Sequence, residues 1–217
     1  MIQTVFDRMS QQPALWGFLR RIAENGFRAE RELIASELAP RAGLLYLDFG
    51  CGTGESAGSF PPGSYTGFDL ASYYVRYAAA HRSGRYSVMD GAALGFADSR
   101  FDGALVVGVF HHLSDDVVRR SVAELHRTLR PGARLLVMED IPSPRPWNLL
   151  GHLMHWADRG DYIRSDDDYR ALLQPYFQIA RSTKVKSGIC DLAVYVLERA
   201  DTLDIPSARL IQRAGER

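Results

Sequence analysis

LLYLDFGCGTG, residues 44–54, places three glycines in five positions behind an apolar run and one acid, Asp48. A short buried strand running into a glycine-rich turn is the layout of a nucleotide-binding α/β fold. Glycine permits positive φ and lets a ligand come close to the backbone. The spacing is Gly50-x-Gly52-x-Gly54, not the G-x-G-x-x-G that brings a pyrophosphate to a helix N-terminus. Nor is it G-x-x-x-x-G-K-[ST], so a phosphate-cradling P-loop is excluded by residue type. With Asp48 two residues ahead of Gly50, the turn suits a ligand end that carries an amino group as well as a carboxylate.

Working outward, strands are expected at Leu44–Asp48, Ser64–Asp69, Arg85–Asp90, Phe101–Val107 and Ala133–Glu139, with helices at Ser72–Arg82 and Asp115–Arg130 between them. Strands alternating with helices imply a parallel sheet covered on both faces. Pro131-Gly132 is expected to turn the second of these helices into the last strand. Residues 10–39 are mostly helical in character, with Leu15, Phe18, Leu19 and Ile22 at helical spacing. Asn25-Gly26 breaks that run and Pro40 stops it. Beyond residue 140 come a proline-rich turn, a helix rich in Trp, Leu, His and Met, and another from Asp166 to Leu173. Two strands follow, Phe177–Lys186 and Ile189–Leu197, joined across Ser187-Gly188. The fold class expected is α/β: a Rossmann-like doubly wound sheet, mostly parallel, with a C-terminal antiparallel hairpin strand and helices on both faces.

Composition narrows the function. The chain has 217 residues, 46% apolar and 24% charged, enough for one domain with a proper core. Its 26 basic and 26 acidic residues leave no net charge, which argues against a non-specific nucleic-acid binder. Two cysteines, Cys51 and Cys190, are too few for a disulfide framework and fit a reducing cytoplasm. MIQTVFDRMSQQ does not read as a signal peptide, and no stretch reaches the length of a membrane span.

Two further acids stand at strand ends. Asp69 comes nineteen residues after Gly50, where a carboxylate accepts hydrogen bonds from the two hydroxyls of a ribose. Asp69 also suits a helix N-cap. Asp90, in MDGAA, suits the exocyclic amine of adenine, or simply caps a turn.

LDFGCGTG, GFDLA, MDGAALGF, FDGALVVGVFHHLSD and ELHRTLRPGARLLVMED, taken together, resemble the class I S-adenosylmethionine-dependent methyltransferases, most closely the branch that acts on small molecules. The resemblance covers about residues 43–140. It implies S-adenosylmethionine as cofactor. Asp48, Gly50, Cys51, Gly52, Thr53 and Gly54 would meet its methionine part, where a Cβ in the turn would collide with the aminocarboxypropyl end. Asp69 would hold the ribose, with Leu70 packing on adenine. Asp90, with the Gly91 and Ala92 backbone, would read the adenine edge, and Gly108 and Val109 would line the methionine side. Two departures stand out. Pro61-Pro62 cut short the helix that relatives carry after the glycine turn, and RPGA replaces the usual KPGG.

His111 and His112 follow the fourth strand and are the candidate general bases, with a pKa suited to accepting a proton near neutrality. His111 is slightly preferred, on the expectation that His112 faces the core. Phe110 offers a π face to a sulfonium. His152 and His155 share a helix face, but Asp158 is the only nearby third ligand, so no metal site is expected. Trp147, Leu149, Met154 and Trp156 suit either the core or the roof of a substrate pocket. Cys51 lies in a turn of the kind that lowers a thiol's pKa, yet no Cys-His pair accompanies it.

The reaction expected is methyl transfer to a small, hydrophobic or aromatic acceptor on O, N or C, releasing S-adenosylhomocysteine, with no nucleic acid, no stable membrane insertion and a cytoplasmic setting. The organisation expected is one methyltransferase domain: an N-terminal helical lid (1–40), a cofactor core (41–140), a substrate-lid insertion (141–176), a C-terminal hairpin (177–199) and a tail (200–217). A cofactor-binding relative without catalysis and an NAD(P)-dependent oxidoreductase are the alternatives.

Overall fold

A computed structural model describes residues 12–141, 147 and 162–199. Seven strands make one sheet: β1 (Tyr46–Phe49), β2 (Tyr65–Asp69), β3 (Arg85–Val88), β4 (Phe101–Val107), β5 (Leu129–Asp140), β6 (Gln178–Ser187) and β7 (Cys190–Glu198). Their order is β3-β2-β1-β4-β5-β7-β6. Pairings from β3 through β5 are parallel, and β7 alone runs antiparallel to both of its neighbours. This is the Rossmann-like doubly wound sheet the pattern predicts. The order reverses between β1 and β4, and in such sheets ligands bind at the carboxyl ends beside that reversal.

Alternation along the central strands builds two cores. Ala104, Val106, Leu135 and Val137 face α4 (Asp115–Thr128) and α5 (Asp166–Leu173) through Val118, Val122, Leu125 and Leu172. Leu105, Leu136 and Met138 face the other way and pack with Leu33 and Ile34. Those two residues lie at the end of α2 (Arg28–Leu33) and the wider turn that extends it, Ile34–Leu38. Burial on both faces explains why β4 and β5 read as continuous apolar runs.

α1 (Pro13–Ala23) and α2 are separated at Asn25–Phe27, where three consecutive residues take positive φ. The helical run ends on Ala39 in a left-handed conformation, one residue before the expected proline stop. α1 exposes Phe18 and Ile22, the outer part of the apolar series expected there. The hairpin docks on the end of α1, with Ile189 N donating to Ala23 O at 2.9 Å. α3 (Ser72–His81) joins β2 to β3. α5 opens on a reciprocal cap between Ser165 and Asp168.

Two expectations need correction. Pro131-Gly132 is not a turn between helix and strand. α4 ends at Thr128, Leu129 already pairs with Phe101, and the chain passes through the proline as part of β5 with a bulge opposite Phe101–Gly103. Proline is tolerated at such an irregularity because no ladder bond needs its missing N–H. β3 ends at Val88, two residues short of Asp90. His152, His155, Asp158, Leu149, Met154, Trp156 and the tail 200–217 lie outside the described residues, and Trp147 is exposed.

Candidate functional site

The glycine turn is shaped by φ of 68° at Gly50, 50° at Gly52 and 74° at Gly54. All three angles favour glycine. The space around each differs. A Cβ on Gly50 would lie 2.7 Å from Val109 Cγ2, and one on Gly54 would lie 2.9 Å from the Tyr86 hydroxyl. Only Gly52 faces open space, with nothing within 4 Å of a Cβ placed there. The turn's glycines at 50 and 54 therefore answer to the protein's own packing. After them comes a single short turn, Glu55–Ser59, as Pro61-Pro62 implied.

A cavity of about 520 Å³ opens at the carboxyl ends of β1, β2 and β4. It brings together Gly50, Gly52, Thr53, Asp69, Leu70, Asp90, Gly91, Ala92, Gly108, Val109 and His112 among the residues singled out from sequence. Asp48 and Cys51 lie instead on a smaller adjoining cavity, and Gly54 and His111 line neither. The volume suits one small ligand.

Asp69 ends β2 and turns its carboxylate back across the site. Oδ2 accepts from Gly52 N at 3.0 Å and Oδ1 from Ala71 N at 2.8 Å. Burial raises its pKa, and the two backbone donors and His112 pull it back down. Asp90 accepts from Ala92 N at 2.9 Å, closing a tight turn. Gly91 is required there by Phe49, whose ring carbon would lie 2.2 Å from an added Cβ. Leu70 is largely exposed on the rim.

Asp48 is 2% exposed and accepts from the Tyr65 hydroxyl at 2.5 Å. Burial pushes its carboxyl up to about 7. Cys51 is buried, and burial followed by the charges of Asp48 and Asp69 pushes its thiol up. The activation expected of its turn is absent, because burial, reinforced by two carboxylates, disfavours the thiolate.

The histidines fall the opposite way to the expectation. His111 is buried at 1% exposure, while His112 is exposed and lines the cavity. Their rings stand 4.1 Å apart. Phe110 is also fully buried, against Phe49, so its π face does not reach the cavity.

Two residues that sequence reasoning passed over hold this corner. Glu139, at the end of β5 and fully buried, accepts from Val109 N (3.0 Å) and Phe110 N (2.8 Å) on Oε1. Its Oε2 takes His111 N (3.2 Å) and lies 2.8 Å from His111 Nδ1. Arg164 donates to the carbonyls of Phe110 and Leu113, both at 2.6 Å, and to Asp115. The signal for Glu139 was an acid closing an apolar strand beside the β4 turn. Arg164 gave none, since its partners are backbone carbonyls fifty residues away.

Nothing among the described residues groups three potential metal ligands. Carboxylates at the end of β2 and in the turn after β3, a bare backbone at Gly52 and apolar walls from Leu70, Met89 and Val109 suit an adenosyl group. The adjoining acidic cavity suits an amino-acid end.

The comparisons agree with that fit. A family model described as a methyltransferase domain matches residues 47–137. The chain is 30% identical over 173 residues to the O-methyltransferase rstn1 of Aspergillus nomiae, covering 73% of this chain and 75% of that one. It is 27% identical to the O-methyltransferase resE of Aspergillus sclerotiorum over 82% of this chain and 70% of that one. Among solved structures, magnesium protoporphyrin IX methyltransferase from Synechocystis with bound S-adenosylhomocysteine superposes with a TM-score of 0.62. It shares 19% identity over 84% of this chain and 87% of that one.

Proposed function

The chain belongs to the class I S-adenosylmethionine-dependent methyltransferases, and from that premise we propose that it methylates a hydroxyl oxygen on a small aromatic or otherwise hydrophobic acceptor, with His112 as general base. The observation that carries the proposal is the position of His112: an exposed imidazole on the wall of the cofactor cavity, beside Asp69. Two O-methyltransferases among the relatives favour oxygen over nitrogen or carbon. The apolar rim and the chain's balanced charge favour a small molecule over nucleic acid. Membership of the family sets aside the oxidoreductase alternative and a catalytically silent one.

Bound in the cavity, S-adenosylmethionine supplies an activated methyl group on a sulfonium. The protein's own residues bind, orient and deprotonate. Asp69 at the end of β2 and Asp90 in the turn after β3 present acceptors. Gly52 lets the ligand meet the backbone directly. His112 takes the proton of the acceptor hydroxyl onto an imidazole nitrogen as that oxygen attacks, which is worth about 10²–10⁴-fold in rate. Holding the two reactants together in a site that excludes water does the rest. Among the described residues no helix is long and apolar enough to cross a membrane, and we place the reaction in the cytoplasm on the cysteine usage.

The test is a panel of acceptors with labelled cofactor: phenols, aliphatic alcohols, amines, activated carbon acids and a tRNA. Label carried into phenols, lost in the H112A variant, supports the proposal. Turnover of tRNA or amines alone would overturn it.

A further inference from the structure

The smaller cavity, about 60 Å³, shares Gly50, Gly52 and Thr53 with the larger one and holds room for a small polar group, not a ring. Three carboxylates line it: Asp48 of β1, Glu30 of α2 and Glu55, the last of which is paired with Arg82. Glu30 is 3% exposed, and among the described residues neither of its carboxylate oxygens has a hydrogen-bond partner. The nearby Ser187 hydroxyl favours its charged form but donates to the Glu24 carbonyl at 3.1 Å. A buried carboxylate left without donors is costly, and such an exception calls for an explanation. Here the explanation is a ligand that brings its own donors.

We propose that Glu30 and Asp48 form the receptor for the α-ammonium group of the cofactor's amino-acid end, and that loading the cofactor expels a proton from this pair. The inference rests on the cofactor reading of the main cavity. It adds a residue from α2 and a proton to the binding equilibrium.

An ammonium carries three N–H donors and one positive charge; it gives Glu30 the donors that it lacks, and it gives both carboxylates a counter-charge that the Tyr65 and Ser56 hydroxyls do not supply to Asp48. Without it, the pair is held partly neutral. Burial drives the Asp48 carboxyl up, opposed by the Tyr65 and Ser56 hydroxyls and reinforced by the charge on Asp69. Burial raises Glu30 as well, with Glu24 adding to the effect.

The remaining charged or titratable groups around the pair do not replace the ammonium. Arg20 pairs with Glu24, Arg31 donates to the Gly26 carbonyl, and Arg82 pairs with Glu55. Cys51 and Tyr86, whose ionised forms are disfavoured first by burial and then by nearby charge, stay neutral. When a cation arrives, a carboxyl O–H breaks, its proton passes to solvent, and the carboxylate left behind accepts from the ammonium. A nearby positive charge favours the ionised form by this route.

The experiment is calorimetric titration of the full chain with S-adenosylhomocysteine at pH 6 and pH 8, each in two buffers of different ionisation enthalpy. Nearly one proton should be released at pH 6 and little at pH 8. Affinity should weaken about tenfold per pH unit below about 7. An analogue lacking the α-amino group should bind without proton release. E30Q should bind S-adenosylhomocysteine about tenfold more weakly than wild type at pH 8 and bind the deaminated analogue equally well.

Buffer-independent heats in the wild type at pH 6 would overturn the proposal, as would equal affinity of wild type and E30Q for S-adenosylhomocysteine. Should E30Q fail to fold, the wild-type comparison of the two ligands decides alone. Binding without proton release leaves the cofactor reading standing. No binding at either pH removes both.

Discussion

Val109 fills the space that a side chain on Gly50 would need, with its Cγ2 only 2.7 Å from where a Cβ would stand. The contact joins the turn after β1 to the turn after β4. Glu139 holds the second turn by taking the N–H of Val109 itself. The two turns that line the larger cavity are thus one packed unit, held by β5 from behind.

Gly50 and Gly52 should therefore fail differently. G50A adds a methyl against Val109 in a left-handed backbone, and overpacking plus strain should cost about 3 kcal/mol of stability. G52A meets no neighbour, so only its φ is penalised, by about 1–2 kcal/mol. Its methyl projects into the open cavity, and S-adenosylhomocysteine affinity should fall more than stability does. Urea denaturation and calorimetry on both variants check this. Equal stability losses would contradict the packing account.

Asp69 holds the turn, because Gly52 N and Ala71 N both donate to its carboxylate, and it is also the ribose acceptor that we propose. D69A should weaken S-adenosylhomocysteine binding by about 1.5–3 kcal/mol, roughly ten- to a hundredfold. Calorimetry at pH 8 gives the value directly, and unchanged affinity would remove Asp69 from the ribose.

The sheet was legible because short apolar runs, glycine punctuation and acids near strand ends are local features. Gly50 directly follows β1 and Asp69 ends β2, as the pattern identifies, while Asp90 stands two residues beyond β3. The opposite fates of His111 and His112 were not legible. A one-residue difference in facing within a short turn depends on Glu139, twenty-eight residues away, and on Arg164 beyond it. Glu30 escaped notice for the same reason: within RAEREL it reads as one acid on a charged helix, and only tertiary packing, of α2 against β6 and the turn after β1, buries it. The proline in β5 misled because a local turn signal lost to pairing with β4.

The histidines should separate by readout. H112A removes an exposed side chain, so stability should change by less than about 0.5 kcal/mol. Turnover should fall by about 10²–10⁴-fold with cofactor affinity kept. H111A removes a buried ring from Glu139 and should cost about 1–3 kcal/mol of stability, with weaker cofactor binding through a loosened 108–112 turn. Melting curves, calorimetry and labelled methyl transfer distinguish the two patterns, and a catalytic loss confined to H111A would reverse the assignment.

Asp48 ties stability to pH in the direction opposite to most carboxylates. Its folded-state pKa is about 7, set first by burial, against an ordinary value of 3.8. Between those two values the folded chain holds a proton that the unfolded chain has released. Stability from this group is therefore greatest at acid pH, declines as pH rises through the interval, and is flat above about 7. Each tenfold difference in proton affinity between the folded and unfolded chains corresponds to about 1.4 kcal/mol, so the full difference reaches a few kcal/mol. D48N keeps the shape and an oxygen for the Tyr65 hydroxyl but cannot ionise, and should lose this slope. Glu30 and Asp69 also titrate upward and contribute in the same direction, so the wild-type curve minus the D48N curve isolates Asp48. Urea denaturation of both proteins at pH 5 and pH 8, without ligand, gives that difference. D48N should be the more stable of the two by a larger margin at pH 8 than at pH 5, where roughly a third of the interval from 3.8 to about 7 has been crossed. Parallel curves would mean that the Asp48 carboxyl is already ionised in the folded chain.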